Sequence, residues 1–390
     1  MNFKIPKLYF LLIMLINSNT IMAAKFMTET ITIGLTASLS GKYKGAGLAQ
    51  LQGIQMWRDD INERGALLGK RVELLVKDDH SNADDSANFY EQFIVKDKVD
   101  LLLGPYSSDL TIAVAKVAEQ YNFPLLAVAA SASSIWDNRK NAYVFGTYVQ
   151  SNNLMKNVIK VAVEKNIKRV AILHADTTYT NSVATGAKLF AQENNLNVIF
   201  YEMFNEKNNN IEDSVQRLAM ADPELIIVGA YFEDSVAIVK AIKRQNIQHN
   251  MLVFSGSVDT IVFKKALGED VEGILSVIQW SRSQHLPGAH DFSFRYKKKF
   301  GVQPSYQAAG GYAAGQILEA AVRMSGSLSK KILQKQLLEL KFRSLFGHYR
   351  VGKNGRQIGK QAYLMQWQGG ERVLVLPKKL VNHDIRLFNL

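Results

Sequence analysis

Along most of this chain, short apolar blocks alternate with longer stretches in which apolar residues recur every three or four positions. The short blocks are 31–35, 72–76, 100–103, 125–128, 170–173, 197–201, 225–228 and 251–254. Each is bounded by glycine, proline or polar turns, as expected of strands buried on both faces. Between them, Leu48, Leu51, Ile54, Trp57 and Ile61 mark one helix face, and 150–165, 181–193, 211–221 and 232–245 read as further helices. Strand and helix alternating at this spacing predict parallel βαβ units. One series ends near residue 148 and a similar one follows, each with its own sheet. Beyond Gly273 the rhythm changes to a strand at 274–278, then helices at 289–300, 306–324 and 328–340. Asn354-Gly355 and Gly369-Gly370 then mark two candidate hairpins, and the tail from Lys378 reads as loosely held.

The stretch from Val99 to Trp136 organises the rest. Its two strands end in Gly104-Pro105 and in the small, hydroxyl-rich run Ala129 to Ser134. Ser108 and Asp109 are placed to cap the intervening helix. Two adjacent parallel strands thus present small hydroxyl residues at the carboxyl edge of one sheet, where open α/β sheets bind ligands. Helix-start N–H groups near Ser108, with hydroxyls from Ser131 and Ser133, suit a carboxylate. Plain turn and cap roles are the alternative for any one of these serines.

Composition narrows the function. The chain has 390 residues, 47% hydrophobic and 21% charged, with a net charge of +12. Length and composition suit two or three folded domains. Lysine and arginine are scattered, which argues for a solvated basic surface and against nucleic-acid binding. Lys4 and Lys7, the apolar run Leu8 to Ile16 and the small residues Ala23 and Ala24 have the pattern of a secretory signal peptide over residues 1–24. There is no cysteine, so an exported form has neither disulfide nor lipid-modified cysteine.

Catalytic and cofactor signatures do not form. Gly65 to Arg71 is one residue short of a phosphate loop and lacks its Ser or Thr, and Gln50 replaces the third glycine of a dinucleotide loop at Gly45 to Gln50. Histidines lack zinc-protease spacing, and no nucleophile elbow occurs. The expectation is no enzyme, no metal and no cofactor.

The motifs IGLTASLSGKYKGAG, INERGALLGKRVELLVKDD, LLLGPYSS, PLLAVAASAS, VAILHADTTY, LIIVGAY and GHYRVGKNGRQIGKQAYLMQWQGG together resemble the type I periplasmic binding proteins. Within these, the chain is most similar to the branched-chain amino-acid (leucine/isoleucine/valine) substrate-binding proteins of ABC importers. The resemblance implies an α/β fold of two Rossmann-like lobes with parallel-core sheets, a three-strand hinge and a ligand in the cleft between lobes. By position, the first lobe is 30–148 plus 279–350 and the second 149–278 plus 351–377, with a tail at 378–390. It also implies a periplasmic, monomeric receptor that delivers a small molecule to a membrane permease. A sensory receptor on the same fold, or an exported hydrolase, are the other readings.

The resemblance assigns Ser108, Ala129 and Ser131 to a ligand carboxylate, and Tyr179 and Tyr231 to the second lobe's wall. Tyr43 and Trp136 flank the cleft loops as further aromatic candidates. Amino-acid-binding members place an acid near the loop after 251–254 to pair the ligand ammonium. Here that loop carries Ser255, Gly256 and Ser257, and Asp259 is the nearest acid in it, with Glu233 and Asp234 as alternatives. An unpaired buried ammonium is costly. The departure therefore points either to Asp259 reaching in or to a carboxylate or amide ligand without an α-ammonium.

Overall fold

The computed structural model describes residues 29–137, 142–205, 211–256, 258–282, 284, 286–381 and 383–388. The expected signal peptide lies outside them.

The first sheet has five parallel strands in the order β2-β1-β3-β4-β5, from β1 (Thr30–Ala37), β2 (Arg71–Asp78), β3 (Leu101–Leu103), β4 (Leu125–Ala127) and β5 (Val144–Gly146). Helices α1 (Lys44–Glu63), α2 (Ala83–Val95) and α3 (Ser108–Gln120) connect them. After β5 the chain crosses to a second sheet through α4 (Lys156–Glu164), β6 (Arg169–Ala175), α5 (Thr178–Glu193), β7 (Asn197–Phe204), α6 (Ile211–Met220), β8 (Leu225–Gly229), α7 (Phe232–Arg244), β9 (Met251–Phe254), α8 (Ile261–Leu267) and β10 (Leu275–Ile278). It returns to the first lobe as α9 (Ala289–Phe300), α10 (Tyr306–Ser325), α11 (Lys330–Glu339) and the small hairpin β11 (Phe342–Ser344) and β12 (Gly347–Tyr349). A last crossing adds β13 (Tyr363–Gln368) and β14 (Glu371–Leu376), antiparallel, beside β10. The second sheet is therefore seven-stranded, β14-β13-β10-β9-β8-β6-β7.

The interior strands of each sheet are covered on both faces, which explains their continuous apolar runs, whereas the edge strands β2 and β7, expected to be buried too, are partly exposed. In the first lobe, Ile31, Ile33, Leu35, Leu101 and Leu103 pack under α1, α9 and α10. Leu102, Leu125 and Ala127 face the opposite layer with Tyr90, Phe93 and Val114. In the second, Ala171, Leu173, Ile226 and Val228 face α6, α7 and α8, while Val170, Ile172, Leu225 and Ile227 face α4 and α5.

Two local readings change. The glycine-rich stretch Ser38 to Gly47, which runs into the failed dinucleotide loop at Gly45 to Gln50, already turns helical at Lys44. Further along, α1 crosses α10 so closely that a Cβ on Gly53 would lie 1.9 Å from the Ala308 carbonyl oxygen. The tail is also held. Gln366 binds Arg386 through the backbone N–H and C=O of the latter, Phe388 N–H donates to the Asn250 carbonyl, and Ile385 is buried. Side-chain amides on β13, interior to the sheet, give the tail backbone its partners, which tail composition alone does not reveal. Asn354-Gly355 makes its turn, but with a single bridge, Val351 to Gln357, in place of a strand pair.

Candidate binding cleft

The carboxyl ends of β3 and β4 in one lobe face those of β6, β8 and β9 in the other. Between them is a cavity of about 450 Å³, its mouth included, lined by Tyr106, Ser107, Ser108, Ala129, Ser131, Tyr148, Tyr179, Tyr231, Ser255, Gln279 and Tyr306.

The first-lobe side is built on backbone. Ser107, not Ser108, caps α3: it sits at φ 82° and its hydroxyl accepts from Leu110 N–H. Ser108 is freed for another task. Its Oγ accepts the backbone N–H groups of Ser131 and Ala132, at 3.2 and 3.1 Å. With both lone pairs engaged, its proton is left to donate at the cavity surface. Tyr106 and Ala129 form an isolated parallel bridge that extends β3 and β4 into the site. Ser131 C=O accepts from the backbone N–H and hydroxyl of Ser151, which ties this turn to the start of the second lobe.

The second-lobe side is aromatic. Tyr179 lies in the first turn of α5 and Tyr231 precedes α7, with ring centres 5.9 Å apart. The Tyr179 hydroxyl donates to the Ser255 carbonyl at 2.7 Å, and the buried Ser255 hydroxyl has no hydrogen-bond partner among the described residues. Gly256, at φ 154°, lets the β9 loop pass Tyr306: a Cβ there would meet the Tyr306 hydroxyl at 2.9 Å. The crossings close the floor, where the Gln279 amide pairs with both the N–H and the C=O of Val149. Tyr148 donates to the Tyr306 carbonyl at 3.2 Å.

Burial pushes the Tyr106 hydroxyl up to about 12. It drives Tyr148, Tyr179, Tyr231 and Tyr306 upward as well, so all five phenols stay neutral.

Of the residues expected here, Ser108, Ala129, Ser131, Tyr179 and Tyr231 meet around this one cavity. Tyr43 stands behind the wall, its ring 5.7 Å from that of Tyr106 and 5.1 Å from that of Tyr231. Trp136, expected to flank the cleft, belongs to the first-lobe core instead: its indole N–H donates to the Val144 carbonyl, and it packs over Gly146. Ser133 turns to Ser182 across the lobes, 3.4 Å from N–H to hydroxyl. Asp259 does not line the cavity. It is buried behind it, with Oδ1 unpartnered among the described residues and its carboxyl raised by desolvation against the opposing field of Arg372. Its own field reaches Tyr106, Tyr148 and Tyr306. Ser257 lies outside the described residues. Tyr106, Ser107, Tyr148, Gln279 and Tyr306 line the cavity without having been expected there, and Ser255 was expected only as part of the loop after 251–254. Tyr106 sits inside the central stretch and was within reach of sequence reasoning, whereas Tyr148, Gln279 and Tyr306 enter from crossings and a distant helix start.

The sequence model of the periplasmic binding protein family matches residues 30–371. The chain belongs to the periplasmic binding proteins. A Leu/Ile/Val-binding protein homolog 7 of Brucella abortus (strain 2308) is 23% identical over 375 residues, covering 92% of this chain and 94% of the relative. A leucine binding protein from Thermotoga maritima MSB8 has the same fold, with TM-score 0.81 and 21% identity over 88% of this chain and 97% of that one. An ABC transporter solute binding protein from R. palustris in complex with benzoate superposes with TM-score 0.79 and 19% identity, covering 88% and 95%. This periplasmic binding protein thus has the two-lobe α/β architecture of type I members, and its family and fold are those of solute-binding proteins.

Proposed function

We propose that this protein is the periplasmic receptor of an ABC importer and that it closes on a small carboxylate or amide with a flat or apolar body. One observation carries the ligand reading: among the described residues, the cavity is lined by tyrosines, serines, an alanine and one glutamine, without a formal charge. Hydroxyl and N–H donors at Ser108, Ser131 and the start of α3 suit a carboxylate. A ligand ammonium finds no anion among the lining residues, and Asp259 behind them favours its neutral form. Desolvating an unpaired ammonium costs several kcal/mol. Leucine and benzoate, the ligands in the names of two proteins of this fold, share a carboxylate and an apolar body but only one has an ammonium.

The division into 30–148 plus 279–350 and 149–278 plus 351–377 makes the three crossings the hinge of this reading. Export through the signal peptide over 1–24, a monomeric state and a permease partner belong to it too, and it assigns no catalytic step.

The test pairs each amino acid with its des-amino analogue, and adds benzoate, in calorimetric titrations. The des-amino acids are expected to bind at least as tightly as their parents. Tight leucine binding that collapses in Asp259→Asn would overturn the reading and make Asp259 the ammonium partner.

A further inference from the structure

Asp109 follows Ser108 directly, yet it does not line the cavity, and its two carboxylate oxygens serve different lobes. Oδ2 accepts from the Tyr43 hydroxyl of the first lobe at 2.8 Å. Oδ1 accepts from the Thr178 N–H of the second lobe at 3.0 Å. Thr178 opens α5, and a helix-start N–H has no partner within its own helix. The capping box of α5 joins Thr177 and Thr180 and leaves Thr178 N–H to Asp109. A carboxylate at this helix end is also favoured by the aligned peptide dipoles.

Both partners of Asp109 touch the tyrosine wall. Tyr43 packs on Tyr106 and Tyr231, and Thr178 immediately precedes Tyr179. We propose that Asp109 is a positioning residue: it bridges the lobes independently of ligand, holding the closed arrangement and, through Tyr43 and Thr178, the tyrosines on both sides of the cavity. Only its consequence for affinity rests on the cleft being the binding site.

A chain without cysteine permits clean double labelling. Lys96 and Lys240 are exposed, one on each lobe. Lys96→Cys and Lys240→Cys carrying spin labels report the separation of the lobes in the ligand-free protein. The Asp109→Ala variant is expected to shift the distance distribution away from the wild type toward opening, and Asp109→Asn, which keeps an acceptor for Thr178 N–H, to restore part of it. Thermal melting of both variants should remain cooperative and near the wild type. With leucine and benzoate as probes, Asp109→Ala should weaken both by the same factor, about tenfold, because a shift in the closed population lowers every apparent affinity alike. Identical distance distributions for wild type and Asp109→Ala overturn the proposal. So does a loss confined to one probe, which would make Asp109 a ligand contact. If neither probe binds the wild type, the ligand reading fails while the distances still decide the bridge.

Discussion

The two sides of the cavity are made of different material. On the first lobe, Ser108 uses its hydroxyl to hold the 131–132 turn, so the donors there are fixed by hydrogen bonds to main chain. On the second lobe, Tyr179 and Tyr231 offer broad faces, with one phenol anchored to Ser255. On the function proposed above, fixed dipoles would read the charge that any small acid carries and the aromatic wall its shape, so one side would stay constant while the other set selectivity.

The largest effect should come from removing wall. Tyr231 is half-buried and touches the rings of Tyr43 and Tyr179. Tyr231→Ala is expected to weaken binding by about 3 kcal/mol, the scale of a buried aromatic truncation, and to reorder a panel of acids by size. An unchanged order would deny the wall its selective role. Ser108→Ala comes next, at about 1.5–3 kcal/mol for a hydrogen bond to a charged group. It should weaken all carboxylates together and lower the melting temperature modestly, since Ser107 keeps the cap while the Ser131 and Ala132 N–H groups lose their acceptor. A sharp drop in melting with affinity intact would make Ser108 purely structural. Tyr179→Phe removes one phenol bond to a carbonyl, about 1 kcal/mol, and calorimetry should find the acid order preserved.

The smallest effect concerns Asp259. Its carboxyl is raised by burial, so the folded protein holds this proton more tightly than the unfolded chain. Stability from this group is full below the ordinary aspartate value and declines as pH rises through the folded value. Asp259→Asn should therefore gain on the wild type as pH climbs from about 4, the unperturbed aspartate range, toward neutrality. Chemical denaturation at stepped pH measures this; a constant difference would place the carboxyl in water.

How legible all this was depended on how local each signal is. The strands of both sheets were plain because burial on two faces leaves continuous apolar runs such as Leu101–Leu103 and Leu225–Val228. The central stretch announced Ser108, Ala129 and Ser131 because a strand end and a helix start adjoin there. Trp136 misled for the same reason: it follows the hydroxyl-rich turn in sequence, but its indole is drawn inward to the Val144 carbonyl. Gln279 and Tyr306 come from segments more than a hundred residues beyond Tyr148, and nothing in the immediate neighbours of the three marks them. The close crossing at Gly53 was hidden because its partner, Ala308 of α10, lies some 250 residues away.

The route of the chain has a consequence for the order in which the molecule can assemble. β13 and β14 come last in the sequence, yet they cover the side of β10 away from β9. Until residues 363–376 emerge, β10 is an open edge with unpaired N–H and C=O groups, the kind of surface that templates sticking to other chains. The first sheet, by contrast, has all five strands by Gly146. The second lobe is thus committed late during synthesis, and a chain stopped after β12 would display a finished sheet beside a sticky, half-built one.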